Sequence, residues 1–285
     1  MFSVIIPTYN RLAFLRKAVD SVFLQTFSDF ELLVVDDGST DDTAAYIAGI
    51  HDARLRYLAG AQQGVSASRN RGIAAARGRI ICFLDSDDWY APEKLARTAE
   101  YLRRDELISV VHTDEIWYRG GTLLPQKKIH RKPDGDVFFQ ALRICCISMS
   151  TAAIRRHVFT QAGLFDESLP ACEDYDFWLR VTCRFPVKLI PEPLTLKEGG
   201  HADQLSRRFP ALDRFRIQSI ARLLDSQILT AEQWHAAAAE LERKCAIYIA
   251  GARKRNKTTE ALRCEELCQK YRNTPAPAGL AETRA

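Results

Sequence analysis

Apolar residues in the first hundred positions fall into short unbroken runs, each followed by a stretch with helical spacing. Residues 3–8 (SVIIPT), 31–35 (ELLVV), 54–58 and 80–84 (IICFL) read as strands, the last buried on both faces of a sheet. Between them, Leu12, Leu15, Val19, Val22 and Phe23 recur at helical intervals. Helices are also expected over about 42–50, 64–76 and 92–104. Strand and helix alternating with short links predict an α/β layer with a mostly parallel central sheet flanked by helices. Beyond residue 107 the pattern loosens. Strands are expected at 107–113 and 116–118, with a hairpin turn at Gly120-Gly121. A basic loop over 127–133 suits a lid, residues 135–185 are helical in pieces, and 187–197 is strand-like. Helical periodicity returns over 211–229, 231–252 and 258–271. The division is therefore a core of residues 1–205, a helical extension of 206–272, and a tail of 273–285 expected to be disordered.

Polar residues interrupt this pattern at the carboxyl ends of the strands. They are Thr8-Tyr9-Asn10-Arg11, Asp36-Asp37 and Asp85-Ser86-Asp87-Asp88. In open α/β sheets ligands bind outside those ends. Three carboxylates within four residues beside a buried strand need a compensating cation. A divalent ion shared with substrate phosphates supplies one. Helix capping, with Asp88 ahead of the helix after Trp89, accounts for part of the cluster, and both roles can hold. Three clusters converging on one sheet edge favour the metal–phosphate reading over capping alone. No GxGxxG follows the first strand and no GxxxxGK[ST] occurs, so phosphate charge falls to a metal and to arginines, with Arg11, Arg69 and Arg71 as candidates.

Composition bounds the function further. The chain has 285 residues, 47% hydrophobic and 27% charged, as in an ordinary globular protein. No apolar run approaches the ~20 residues that span a bilayer, and the first residues are too short an apolar stretch for a signal peptide. Eight cysteines without framework spacing read as reduced thiols, hence a cytoplasmic protein. The net charge of +4 divides into −1 for residues 1–200 (25 basic, 26 acidic) and +5 for 201–285 (15 basic, 10 acidic). That excess is too mild for nucleic acid and is compatible with peripheral attachment at the inner face of a membrane. Between Arg119 and His157 stand eight Lys/Arg and two Asp/Glu. That stretch either faces a phosphorylated or lipid-pyrophosphate acceptor or is a solvated loop.

The motifs VIIPTYNR, LLVVDDGSTDDT, GVSASRNRGI, FLDSDDW, GLFDESL at 163–169 and EDYDFWLR at 173–180, in that order, resemble the bacterial family 2 glycosyltransferases of GT-A fold over about residues 1–205. The resemblance implies roles residue by residue. Pro7, Thr8 and Tyr9 line the nucleotide base, Asp37 accepts from a base N–H, and Arg69 contacts the nucleotide. Asp85 and Asp87 form the DxD pair. Asp87 ligates Mn²⁺ or Mg²⁺ on the diphosphate, while Asp85 lies toward ribose or a metal-bound water. Asp174 is the base. His201 lies where the fold can send a residue to the metal, or is a plain loop histidine. Trp89 and Tyr90 line the acceptor site or pack in the core.

The implied reaction is inverting transfer from a nucleotide-diphosphate sugar, a UDP-sugar by default, to a cell-envelope polysaccharide, lipopolysaccharide or similar glycan, lipid-linked or free. Absence of Gln-x-x-Arg-Trp after Trp178 resembles the non-processive members. Two alternatives compete. A nucleotide-sugar-binding protein without activity would have lost the chemistry of Asp87 or Asp174, and both are present. A sugar-nucleotide nucleotidyltransferase would want a Gly-rich basic loop where Pro7-Thr8-Tyr9-Asn10 stands.

Overall fold

The structure is a computed structural model that describes residues 1–200, 209 and 211–276. Its centre is a sheet built from β1 (Phe2–Thr8), β2 (Phe30–Asp36), β3 (Leu55–Ala59), β4 (Ile80–Phe83), β5 (Asp88–Tyr90), β6 (Val110–Arg119), β7 (Thr122–Leu124), β8 (Ala152–Arg155) and β9 (Val187–Gly199). The spatial order is β3-β2-β1-β4-β8-β6-β9-β5, with β7 hairpinned onto β6. The half formed by β1 to β4 is parallel, as the alternating pattern implied. The other half is mixed: β8 runs antiparallel to both β4 and β6, β9 parallel to β6, and β5 antiparallel to β9. The strands expected at 107–113 and 116–118 are a single strand, Val110–Arg119, which starts three residues later than expected and shifts register around Asp114.

Side chains along the parallel strands alternate between two cores, which explains their unbroken apolar character. Val4, Ile6, Leu32, Val34 and Cys82 point to a core made with helices α1 (Leu12–Phe23) and α4 (Lys94–Arg104). Ile5, Leu33, Val35, Ile81 and Phe83 point to the opposite core. It is closed by α3 (Val65–Ala75), α6 (His157–Ala162) and α7 (Glu173–Thr182). Gly72 lets α3 lie directly on β1, since a Cβ there would come within 2.5 Å of Ile5. The remaining helices are α2 (Thr43–Ala48), α5 (Phe138–Arg143), α8 (Asp213–Asp225), α9 (Ala231–Lys254) and α10 (Thr258–Asn273). The last three follow the predicted bounds closely, and Thr230 and Gln233 close a reciprocal capping box at the start of α9.

Helix α7 belongs to two cores at once. Phe177, Trp178 and Val181 are buried against the sheet. Tyr175 and Leu179 are buried against Ile220 and Leu223 of α8 and Trp234 and Leu241 of α9. The carboxy-terminal helices are thus the rear support of α7.

One expectation fails at the start of α4. Asp88 does not cap it: the helix begins at Lys94, and Asp88 lies in β5, which pairs with Lys197 to Thr195 of β9. The strand edge of β9 offers the 88–90 segment a ladder, and Asp88 finds a cation in Lys197, 3.1 Å away, instead of a helix terminus.

Candidate functional site

The turns after β1 and β2 brace each other. Asn10, held at a positive φ of 50°, donates its N–H to Ser39 Oγ and accepts from the Thr40 N–H. Asp41 accepts from the Leu12 N–H at the start of α1. Asp36 accepts from the Ser39 N–H and from the Tyr57 hydroxyl. Asp37 is buried and accepts from the Gln63 and Gly64 N–H groups at 2.9 and 2.8 Å and from Ser68 Oγ at 3.2 Å. Arg71 donates to the Asp36 carbonyl, so it serves this scaffold. Pro7 and Thr8 are buried at the end of β1, with Thr8 Oγ1 unpartnered among the described residues, while Tyr9 is exposed.

Asp85 and Asp87 point to different arginines. Asp87 Oδ2 lies 2.7 Å from Arg11 Nη1 at the foot of α1. Asp85 Oδ1 lies 2.9 Å from Arg69 Nη2. Arg69 is 4% exposed, and its other nitrogen, Nη1, reaches Glu173 Oε1 at 2.7 Å. One guanidinium therefore ties the DSD turn to the first residue of α7, and the next residue is Asp174. Asp174 is half-buried; its Oδ1 accepts from the Tyr175 N–H, and its Oδ2 accepts from the Cys145 thiol at 3.4 Å.

Each charge reflects its surroundings. Burial pushes the Asp85 carboxyl up, but Arg69 and then Lys197 outweigh it and hold it below the usual range. Burial, with Asp174 alongside, raises Glu173 despite Arg69. Burial would lower Arg69, yet Asp85, Glu173 and Asp174 together raise it, so it remains a cation. Burial drives Asp88 up to about 7 against the pull of Lys197, and Ser150 Oγ donates to it at 2.6 Å.

Sequence reasoning missed Glu173, Lys197 and Ser150. Glu173 could be noticed only as the neighbour of Asp174. Lys197 and Ser150 carry no local signal, because β8 and β9 bring them to the DSDD turn from far along the chain. A second buried pair, Lys132 with Glu115 at 2.7 Å, fastens the 127–133 loop that the sequence offered as a lid. His201 lies outside the described residues. Tyr90 is core, donating its hydroxyl to the Phe83 carbonyl. Trp89 is half-buried, stacked on Tyr118, with Lys17 Nζ over its ring. It lines a cleft of about 340 Å³ that runs from Asp87 past Phe14 and Lys17 to Gly120 and Glu198.

Among the described residues no three His, Cys, Asp or Glu side chains are arranged to hold a metal by themselves. Sites that share Mg²⁺ or Mn²⁺ with a diphosphate take only one or two carboxylates from the protein, and Asp87 with Asp85 fits that donor set.

A parallel half-sheet with this turn architecture, joined to a mixed half-sheet, is the GT-A class of glycosyltransferase fold. The structure of S. aureus TarS residues 1–349 in complex with UDP-GlcNAc superposes with a TM-score of 0.69 at 19% identity, over 96% of this chain and 92% of that one. A mannosyltransferase from Pyrobaculum calidifontis, in complex with GDP-Man and Mn²⁺, gives 0.60 at 19% identity, over 95% and 87%. These likenesses are of fold. In sequence, the model of Glycosyl transferase family 2 matches residues 3–162, and the chain belongs to that family. An uncharacterized glycosyltransferase of Rickettsia felis is 34% identical over 196 residues, 68% of this chain and 32% of that protein. One of Haemophilus influenzae is 30% identical over 203 residues, 68% and 67%. The chain thus spans about a third of the length of the Rickettsia felis relative.

Proposed function

We propose that this protein is an inverting, metal-dependent, non-processive glycosyltransferase. It moves a sugar from a nucleotide-diphosphate donor, UDP-linked by default, to a hydroxyl of a cell-envelope glycan, lipid-linked or free. The carrying observation is the Arg69 bracket. It joins Asp85, beside the donor in this reading, to Glu173, the neighbour of Asp174, which supports a base set close to the donor.

In this reading Asp174 takes the proton of the acceptor hydroxyl as that oxygen bonds to the anomeric carbon and the carbon–oxygen bond to the diphosphate breaks. Asp87 and Asp85 would hold a divalent ion, which would supply charge stabilisation to the leaving diphosphate. Arg11, paired with Asp87 at the foot of α1, is the candidate cation for a donor phosphate. Arg69 stabilises the nucleotide side of the site. Asp37 accepts from the base: a carboxylate offers about four lone-pair sites, and three are in use. Pro7, Thr8 and Tyr9 form the floor beneath that base. Residues 1–205 are the transferase domain, and 206–272 stiffen α7 from behind. The protein works in the cytoplasm or at the inner face of a membrane.

The test is thermal stabilisation by UDP, dTDP and GDP with and without Mn²⁺. One nucleotide should raise the melting temperature in a Mn²⁺-dependent way, and Asp87→Ala should remove the metal-dependent part. An undiminished Mn²⁺ effect in that variant would overturn the metal assignment.

A further inference from the structure

We infer that the β6–β7 hairpin and the loop after it form a docking surface for an anionic lipid bilayer. The inference rests on the transferase reading only for what that docking would serve. Residues 116–133 carry five Lys/Arg and no Asp or Glu. Lys132 is spent internally on Glu115. Arg119, Lys127 and Arg131 are exposed and make no ion pair among the described residues.

The same segment exposes two large apolar side chains, Leu123 at 60% and Ile129 at 62%. It is not a loose loop. The His130 ring lies tilted against Trp117 with ring centres 4.8 Å apart, Gln126 donates to the Glu115 carbonyl, and Leu123 pairs across the hairpin with Tyr118. Cations and apolar side chains thus share one segment that is tied to β6.

A soluble polyanion would use the cations but gains nothing from Leu123 and Ile129. A bilayer with anionic headgroups uses both, the charges at the surface and the apolar side chains at the acyl boundary. The hairpin tip, Gly120 and Gly121, is also one wall of the cleft that reaches Asp87. An edge-on approach of the hairpin therefore sets the mouth of the cleft at headgroup level, where the glycan of a lipid-linked acceptor would enter.

The test is flotation of the full chain with vesicles of phosphatidylglycerol mixed with phosphatidylcholine, against phosphatidylcholine alone. Binding is expected only with the anionic vesicles, weakening at high salt. Each cation near such a surface contributes about fivefold in partitioning. The triple change Arg119→Ala, Lys127→Ala, Arg131→Ala should therefore weaken binding by roughly a hundredfold. Leu123→Ser with Ile129→Ser, which leaves the charge unchanged, should weaken it as well. Equal binding to both vesicle types, no binding, or indifference to either set of changes would overturn the inference. So would competition by soluble polyphosphate together with indifference to the Leu123 and Ile129 changes, which assigns the patch to a phosphorylated glycan. Nucleotide-induced thermal stabilisation of the same variants reads the donor site separately, so loss of docking and loss of donor binding are distinguishable.

Discussion

Replacing Arg69 by Met keeps most of the side-chain volume and removes the charge between Asp85 and Glu173. Asp85 is about a third exposed and can be hydrated, whereas the Glu173 side chain is 7% exposed and cannot. The cost therefore falls on Glu173, whose carboxyl burial already raises. Left unpaired it escapes by taking up a proton. From an ordinary glutamate value of about 4.3, protonation at pH 7 costs about 3.7 kcal/mol, which bounds that contribution. The bound agrees with the 3–5 kcal/mol typical of breaking a buried pair.

The pH dependence has a fixed sign. In the variant the folded state holds a proton on Glu173 that the unfolded state has lost, so stability falls as pH rises above about 4.3. The penalty should shrink to about 1 kcal/mol at pH 5. Adding Glu173→Gln should recover much of the loss at pH 7. Urea unfolding followed by circular dichroism at pH 5 and 7, on both single variants and the double variant, measures all of this. A loss below about 1 kcal/mol at pH 7 for Arg69→Met, or additive single changes, would refute the bracket as an energetic unit.

Three further outcomes follow from other buried groups. His112 is buried, and burial first, helped by the charges of Lys132 and Lys94, lowers it to about 4 against its bond to the Pro133 carbonyl. It should stay neutral in the folded protein to near that pH, with stability declining as pH falls from about 6.5 toward 4, the window in which only the unfolded state binds the proton. An NMR titration midpoint above 6 contradicts this. The Cys145 thiol, pushed well up by burial and then by Asp174, should resist iodoacetamide at neutral pH in the folded protein; alkylation at the rate of a free thiol counts against the contact with Asp174. Trp234→Ala should cost about 3–5 kcal/mol, and should lower sugar transfer without abolishing nucleotide binding, because Trp234 packs in the core behind α7. Equal losses of transfer and nucleotide binding would remove the case that the extension acts through α7.

Much of the parallel half-sheet was legible because its strands are apolar on both faces and its turns carry their own chemistry. Asp36, Asp37 and Asp41 illustrate both the reach and the limit of that signal. They mark the carboxyl edge correctly, yet most of their acceptor capacity goes to the turns themselves. The mixed half was less legible, since β5 is three residues long and exists only because β9 offers an edge. Asp88 reads locally as a cap. Its partners, Lys197 and Ser150, lie 109 and 62 residues further along and are joined to it only by the sheet. The Arg69–Glu173 pair, 104 residues apart, was hidden in the same way, although both residues sat inside motifs already singled out.

The proposed division of labour gives the acceptor proton to Asp174 and the donor to Asp87 and Asp85. It is tested most directly by donor-dependent nucleotide release in the presence of Mn²⁺ and an acceptor glycan, with wild type and Asp174→Asn compared at saturating donor. Asp174→Asn should keep the Mn²⁺-dependent stabilisation by nucleotide and lose roughly 10²–10⁴ in the acceptor-stimulated rate. Acceptor-stimulated release unchanged in that variant would contradict it.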